Sequence, residues 1–212
     1  MSRFDASGFW AALDSVPAAA DAEADAEALY DLGSAEGRLR RSNLQRYLEQ
    51  YGPAADTLLV AEAPGWRGMT NTGIPFTSMR ELGTDRFGAD YLVPPEPTAP
   101  WEASSRVVQA ALSDWAGPLP VAWAIFPHHP FVAPDRLTNR TPRPAEVRSG
   151  APVALALLEA LGGVDRVRVV AVGRKAQGAL ALAGIEAIAV RHPAQGGAKQ
   201  FTEQLRALDR SL

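Results

Sequence analysis

Four short apolar runs constrain this chain most: Thr57–Ala61 (TLLVA), Pro120–Phe126 (PVAWAIF), Val167–Val172 and Ile185–Val190. Each is too short for a typical helix, and TLLVA is apolar enough for a strand buried on both faces. Together they read as strands alternating with helices, the pattern of a mainly parallel sheet covered by helices. Helical spacing fills much of the chain between and around them. It predicts helices over Phe4–Leu13, Ala22–Leu32, Ala35–Gln50 (stopped by Gly52-Pro53), Ser104–Trp115 (capped by Ser104), Ala151–Leu161, Arg174–Ala183 and Gly197–Leu208. The expected fold class is α/β, a three-layer sandwich with a central, mainly parallel four-stranded sheet flanked by helices. At 212 residues the chain fits a single core. Residues 1–212 therefore read as one domain, with residues 1–50 as an N-terminal helical part.

In such folds the working crevice lies beyond the carboxyl ends of the strands. That singles out Glu62 onward, Pro127 onward, Gly173-Arg174 and Arg191-His192. The first two open long loops, Glu62–Ser78 and Pro127–Pro144, of a length uncommon unless functional or disordered. Composition narrows the chemistry. Zero cysteines exclude disulfides, thiol catalysis and thiolate-held zinc or iron–sulfur clusters. Three histidines, none at an i, i+4 spacing, argue against a metal site. No apolar run approaches the ~20 residues of a membrane span, and Met1–Trp10 lacks a signal-peptide core, so a cytoplasmic protein with no membrane partner is expected.

Charge is unevenly spread. Residues 1–36 hold eight acids and one base, whereas residues 136–210 hold 12 bases and six acids. The basic C-terminal half either attracts phosphate or is a solvated, arginine-rich surface.

Three segments carry residues suited to chemistry. In LLVAEAPGWRGMTNTGIPF (58–76), Glu62 follows a strand, Pro64-Gly65 turns the chain, and Gly68 and Gly73 permit close backbone approach to a ligand. Glu62 is a functional carboxylate or a turn cap, and Phe76 a stacking face or ordinary core. In WAIFPHHPFVAPDRLTNRTPRPAE (123–146), adjacent His128 and His129 point to opposite sides of an extended chain. Arg136, Arg140 and Arg143, with Thr138, Asn139 and Thr141, either donate to phosphate or hold the loop in place. In AIAVRHPAQGGAKQF (187–201), a strand delivers His192, and Gly196-Gly197 precede a helix whose free N–H groups favour an anion. His192 either donates to a developing negative charge or caps the strand.

Taken together, these segments resemble the uracil-DNA glycosylase superfamily. AEAPG at 61–65 resembles the Gly-Glu-Ala-Pro-Gly first motif of its cluster-bearing branches, GIPF at 73–76 matches the Gly-x-Pro-Phe that follows it, and RHPAQGG at 191–197 resembles the His-Pro-Ser second motif. AVGRKA (171–176) and TNRTP (138–142) are also similar to bacterial members. The resemblance covers roughly residues 56–205 and implies a monofunctional DNA glycosylase. Such an enzyme flips out uracil or another deaminated base and hydrolyses its N-glycosidic bond in base-excision repair. Its partner is DNA containing that base; no metal or other cofactor is implied, and a monomer is expected.

The resemblance also implies roles. His192 and Glu62 are the expected catalytic residues: His192 stabilises the departing base anion, and Glu62, a candidate to activate water, lines the pocket near sugar and water with the Ala63 backbone and Gly65. Phe76 stacks on the base, while Asn71 and Asn139 are candidate polar contacts to water and base. Arg140, Arg191, Gln195, Gly196 and Lys199 are candidate DNA contacts, with Gln195 as the wedge filling the gap the base leaves. Neither Lys175 nor Lys199 has an evident nucleophilic setting, so strand cleavage is not expected.

The chain departs from the pattern in three places. It lacks the cluster cysteines. Ala63 stands where the best-known branches place a water-positioning Asp or Asn. Ala124 stands where similar bacterial sequences have an Asn in Trp-Asn-x-Phe-Pro. Two alternatives follow: a catalytically inactive nucleic-acid-binding relative, and a nucleobase- or nucleotide-binding α/β enzyme.

Overall fold

Alternation inside the apolar runs sorts their side chains to two faces, and the layering follows from it. The computed structural model describes residues 4–17 and 25–209. In chain order the elements are α1 (Ser7–Asp14), β1 (Ala26–Glu27), α2 (Ala35–Tyr51), β2 (Thr57–Ala61), α3 (Met69–Thr72), α4 (Met79–Leu82), α5 (Ala103–Ser113), β3 (Val121–Ala124), β4 (His129–Pro130), α6 (Pro144–Leu161), β5 (Arg168–Val172), α7 (Arg174–Leu182), β6 (Ile188–Val190) and α8 (Ala198–Asp209). The main sheet has the order β3-β2-β5-β6, and all its neighbours pair in parallel.

Leu58, Val60, Val121, Trp123, Val169 and Ala171 face one core with α1, α2, α6 and α7; Leu59, Ala122, Val170 and Val172 face a second core with α5 and α8. The chain is thus a three-layer α/β sandwich. Each fully buried aliphatic side chain contributes about 1.5–3 kcal/mol. Trp123 is the largest buried side chain; Phe9 of α1 packs on it edge-to-face at 4.9 Å.

The order places a topological switch between β2 and β5: after β2 the chain crosses to β3 on one side, then returns to β5 on the other. A crevice opens at such a point because the flanking connections leave on opposite faces.

Several elements differ from the sequence expectation. The helix over Ala22–Leu32 does not form: residues 22–24 lie outside the described residues, and Ala26–Glu27 pair antiparallel with His129–Pro130. Two buried groups pull this segment flat against the loop, Asp25 through arginines 140 and 143 and Leu29 through the core. The helix expected from Ala151 starts at Pro144, the expected end of the Pro127–Pro144 loop. Pro144 occupies the first turn, where its missing N–H costs nothing, and Gly150 is needed because a Cβ there would lie 2.0 Å from the Ile125 carbonyl oxygen. Ser104 does not cap α5; the N-cap is Glu102, whose side chain makes no capping bond. The Glu62–Ser78 loop contains the α3 turn, and the irregular stretch before α5 is preceded by α4. Gly73 (φ +78°) and Gly68 do allow close approach, but by the chain itself: Cβ atoms there would lie 2.4 Å from the Arg40 carbonyl and 2.5 Å from Glu102 Oε2.

Candidate active site

The carboxyl ends of β2, β5 and β6 meet at a cleft of about 530 Å³. β2 supplies Glu62, Ala63, Pro64 and Gly65; the next loop adds Pro75 and Phe76; Asn139–Thr141 close one side; β5 supplies Gly173; and β6 supplies Arg191 and His192, followed by Gln195.

His192 is held by the backbone of the turn that follows it. The Ala194 N–H donates to His192 Nδ1 at 3.1 Å. Nδ1 is thereby an acceptor, so the ring proton of the neutral imidazole sits on Nε2. Burial pushes the His192 pKa down, and the Arg191 and Lys175 charges push the same way. The side chain is therefore a neutral N–H donor at pH 7. Its seat is Gly173, where a Cβ would lie 2.8 Å from His192 Cβ and where φ is +90°.

Phe76 lies on the cleft wall and is itself strained, with φ +51°. Such outliers persist where the surroundings over-determine them. Here Gln109 Nε2 donates to the Phe76 carbonyl at 3.0 Å, and the ring joins the second core.

Glu62 is one of two carboxylates in the cleft. Its side chain is 20% exposed and lies 3.8 Å from Lys175 Nζ, which in turn donates to Thr141 Oγ1 at 2.6 Å. Burial raises the Glu62 pKa, and Lys175 opposes the rise.

The second carboxylate, Glu102, has no motif to mark it. It reaches the cleft from the start of α5 and lies across the backbone of the loop after β2. Its Oε2 accepts from Ser105 Oγ at 2.6 Å. Burial raises its pKa, the Ser105 bond opposes this, the neighbouring Glu81 adds to it and Arg67 lowers it. No spacing in the sequence links Glu102 to the turn it meets, because the contact is made across elements.

Asn139 lines the cleft with its orientation fixed. Its Oδ1 accepts from the Trp66 N–H at 3.1 Å, which leaves the amide NH₂ without a hydrogen-bond partner among the described residues.

Other predicted site residues are placed differently. Asn71 is buried and braces the loop: Nδ2 donates to the Trp66 carbonyl, and Oδ1 accepts from the Thr98 N–H at 2.7 Å. It does not line the cleft. Arg140 reaches the cleft, but its guanidinium bonds Asp25, Glu146 and the Thr141 carbonyl, so no donor remains for a phosphate. Lys199 is exposed on the first turn of α8 near Glu203, outside the cleft. Arg191 and Gln195 are on the rim; Gln195 (φ +52°) and Gly196 (φ +76°) form a tight left-handed turn. Ala124 is buried in the core beside β2. His128 and His129 do diverge. One bonds the Val16 carbonyl; the other ties together the Pro64 and Arg136 carbonyls. Both are structural.

No protein-family model matches the chain, and no curated protein matches it. Among solved structures it is similar to the crystal structure of wild-type Pedobacter heparinus SMUG2, with a TM-score of 0.52 and 16% identity, covering 74% of this chain and 77% of that one. The likeness is one of fold. It extends the α/β reading to a known architecture. Among the described residues no helix is long and apolar enough to cross a membrane.

Proposed function

We propose that the chain is a monofunctional DNA glycosylase that removes uracil or another deaminated base. The observation that carries this reading is the His192 tautomer: a neutral Nε2–H donor, locked by the Ala194 N–H, at the end of β6 in a cleft that also holds Phe76 and Glu62. The motif resemblance and the fold shared with SMUG2 support it.

Breaking an N-glycosidic bond leaves negative charge on the base oxygens and positive charge on the sugar. A preorganised donor at the base in a recessed site lowers that barrier. A neutral imidazole does so without having to lose a competing proton. The extruded base stacks on Phe76. The Asn139 NH₂ donates to a carbonyl oxygen, which uracil presents where cytosine carries an amino group and hypoxanthine presents where adenine does. Pro64, Ala63 and Gly65 bound the sugar side of the pocket. The Gln195-Gly196 turn and Arg191 contact the strand that the base leaves, and Lys199 adds a more distant phosphate contact. This is repair chemistry in the cytoplasm, carried by one domain acting as a monomer.

The test uses an end-labelled oligonucleotide with one uracil, single-stranded or opposite G or A, and parallel strands with hypoxanthine or xanthine. After incubation, alkali cleaves any abasic site. Cutting that His192→Ala lowers by about 10²–10³-fold supports the reading. Intact strands throughout overturn it; if DNA is still bound, a non-catalytic relative is favoured.

A further inference from the structure

Ala63 leaves the turn after β2 without a polar side chain, yet a carboxylate reaches that turn from elsewhere. We propose that Glu102, brought in by α5, is the catalytic carboxylate that faces the sugar and activates water; this rests on the glycosylase reading above. Glu102 holds the N-cap position of α5, where an acidic side chain ordinarily bonds the helix's own N–H groups, but its side chain makes no such bond. It turns instead toward the loop after β2. A Cβ on Gly65 would lie 2.9 Å from Oε1, and one on Gly68 would lie 2.5 Å from Oε2. Two glycines thus leave room for one carboxylate. Ser105 Oγ holds Oε2 at 2.6 Å, while Oε1 makes no hydrogen bond among the described residues. The carboxylate has no ion-pair partner there either. A recessed carboxylate with one free oxygen and no ion-pair partner among the described residues is costly to maintain unless a ligand uses it. Glu62, by contrast, already has Lys175 beside it.

In the step, the C1′–N bond breaks with its electron pair going to the base, whose oxygen His192 Nε2–H bonds. Water adds to C1′ through its oxygen. Glu102 takes one water proton and releases it to solvent, and the departing base takes up a proton. Substrate and one water give an abasic sugar and free base. The groups setting the Glu102 protonation are Ser105 on its own helix, Glu81 on α4 and Arg67 in the loop.

Two readouts test this. Glu102→Gln keeps the shape and the Ser105 contact; it should melt like wild type and lose about 10²-fold or more in single-turnover rate. Binding is then compared for two uncleavable DNAs, one with a cationic pyrrolidine at the abasic position and one with neutral tetrahydrofuran. Wild type and Glu62→Gln should prefer the cationic DNA by about tenfold, a difference of about 1.4 kcal/mol, and Glu102→Gln should show no preference. If wild type cuts and Glu102→Gln cuts equally fast with the preference intact, the inference fails and the glycosylase reading stands. The inference also fails if Glu62→Gln alone erases the preference. If wild type neither cuts nor binds either DNA, both fail.

Discussion

A single backbone N–H sets the behaviour of His192. Because Ala194 occupies Nδ1, the ring is a donor only at Nε2, and because burial and two cations depress its pKa, it stays neutral. Two outcomes follow at this scale. The single-turnover rate should show no titration of this histidine above its ordinary value of 6.5, because the folded value lies below it; a pH series measures this. Gly173→Ala should slow the reaction at least as much as it destabilises the fold, since the new methyl would meet the imidazole stem at 2.8 Å on a φ of +90°. Rate and thermal melting measured on the same sample separate the two effects. At Asn139 the fixed amide makes Asn139→Asp a change from donor to acceptor. Uracil cleavage should fall about tenfold or more, as expected for a lost and then repelled hydrogen bond of about 1.4 kcal/mol or more.

Among the elements, the β1 strap and the α6 N-terminus are tied through one ion cluster. Asp25 pairs with Arg140 at 2.9 Å and Arg143 at 2.5 Å, and Glu146 pairs with Arg140 at 2.6 Å. The Arg143 hydrogen bond leads in lowering the Asp25 pKa from 3.8 to about 2, against its burial. Burial pushes the Glu146 carboxyl up, but hydrogen bonds from Arg140 and the Arg143 N–H outweigh it and hold it below its ordinary value. Removing one partner strands the rest, so Arg140→Ala should cost about 3 kcal/mol in urea unfolding. The acid dependence has a definite sign. The Asp25 contribution is fully present above pH 3.8 and is lost as pH falls toward about 2. Asp25→Asn should flatten the acid-unfolding curve in that window.

For the whole molecule, the acidic N-terminal part and the basic C-terminal half are not separate surfaces. Glu27 pairs with Arg40, Asp14 with Arg41, and Asp25 with Arg140 and Arg143. Of the 12 bases in residues 136–210, Arg140 and Arg143 are thus held by an N-terminal acid, whereas Arg40 and Arg41 belong to the N-terminal part itself. Arg174, Lys175 and Arg191 remain around the cleft. If these three meet phosphates, log affinity for an abasic-analogue duplex should fall with log salt at a slope of about −3. Fluorescence anisotropy across a salt series checks this, and a slope near zero would remove DNA from the reading.

What was legible in the sequence is what depends on neighbours along the chain. Apolar runs of strand length fixed the four-stranded parallel sheet, although β6 at its edge leaves Ile188 and Ala189 exposed, and strand ends located Glu62, Gly173 and His192 at one crevice, because parallel strands deliver their carboxyl ends to the same side. Phe76 and His192 stood out because each sits in a short motif. Periodicity failed at Ala22–Leu32, where ion pairing and burial override an alanine-rich helical pattern, and at Pro144, where Gly150 and Pro152 look like breakers but one fits the close approach of α6 to β3. Only the tertiary structure showed that Arg140 is spent on Asp25 and Glu146, that Asn71 is a brace, that the Ala194 N–H selects the imidazole tautomer, and that Glu102 meets Gly65 and Gly68. The physical reason is common to most of these. A hydrogen-bond or ion-pair partner is chosen by distance in space, and residues far apart in sequence leave no local pattern when packing brings them together.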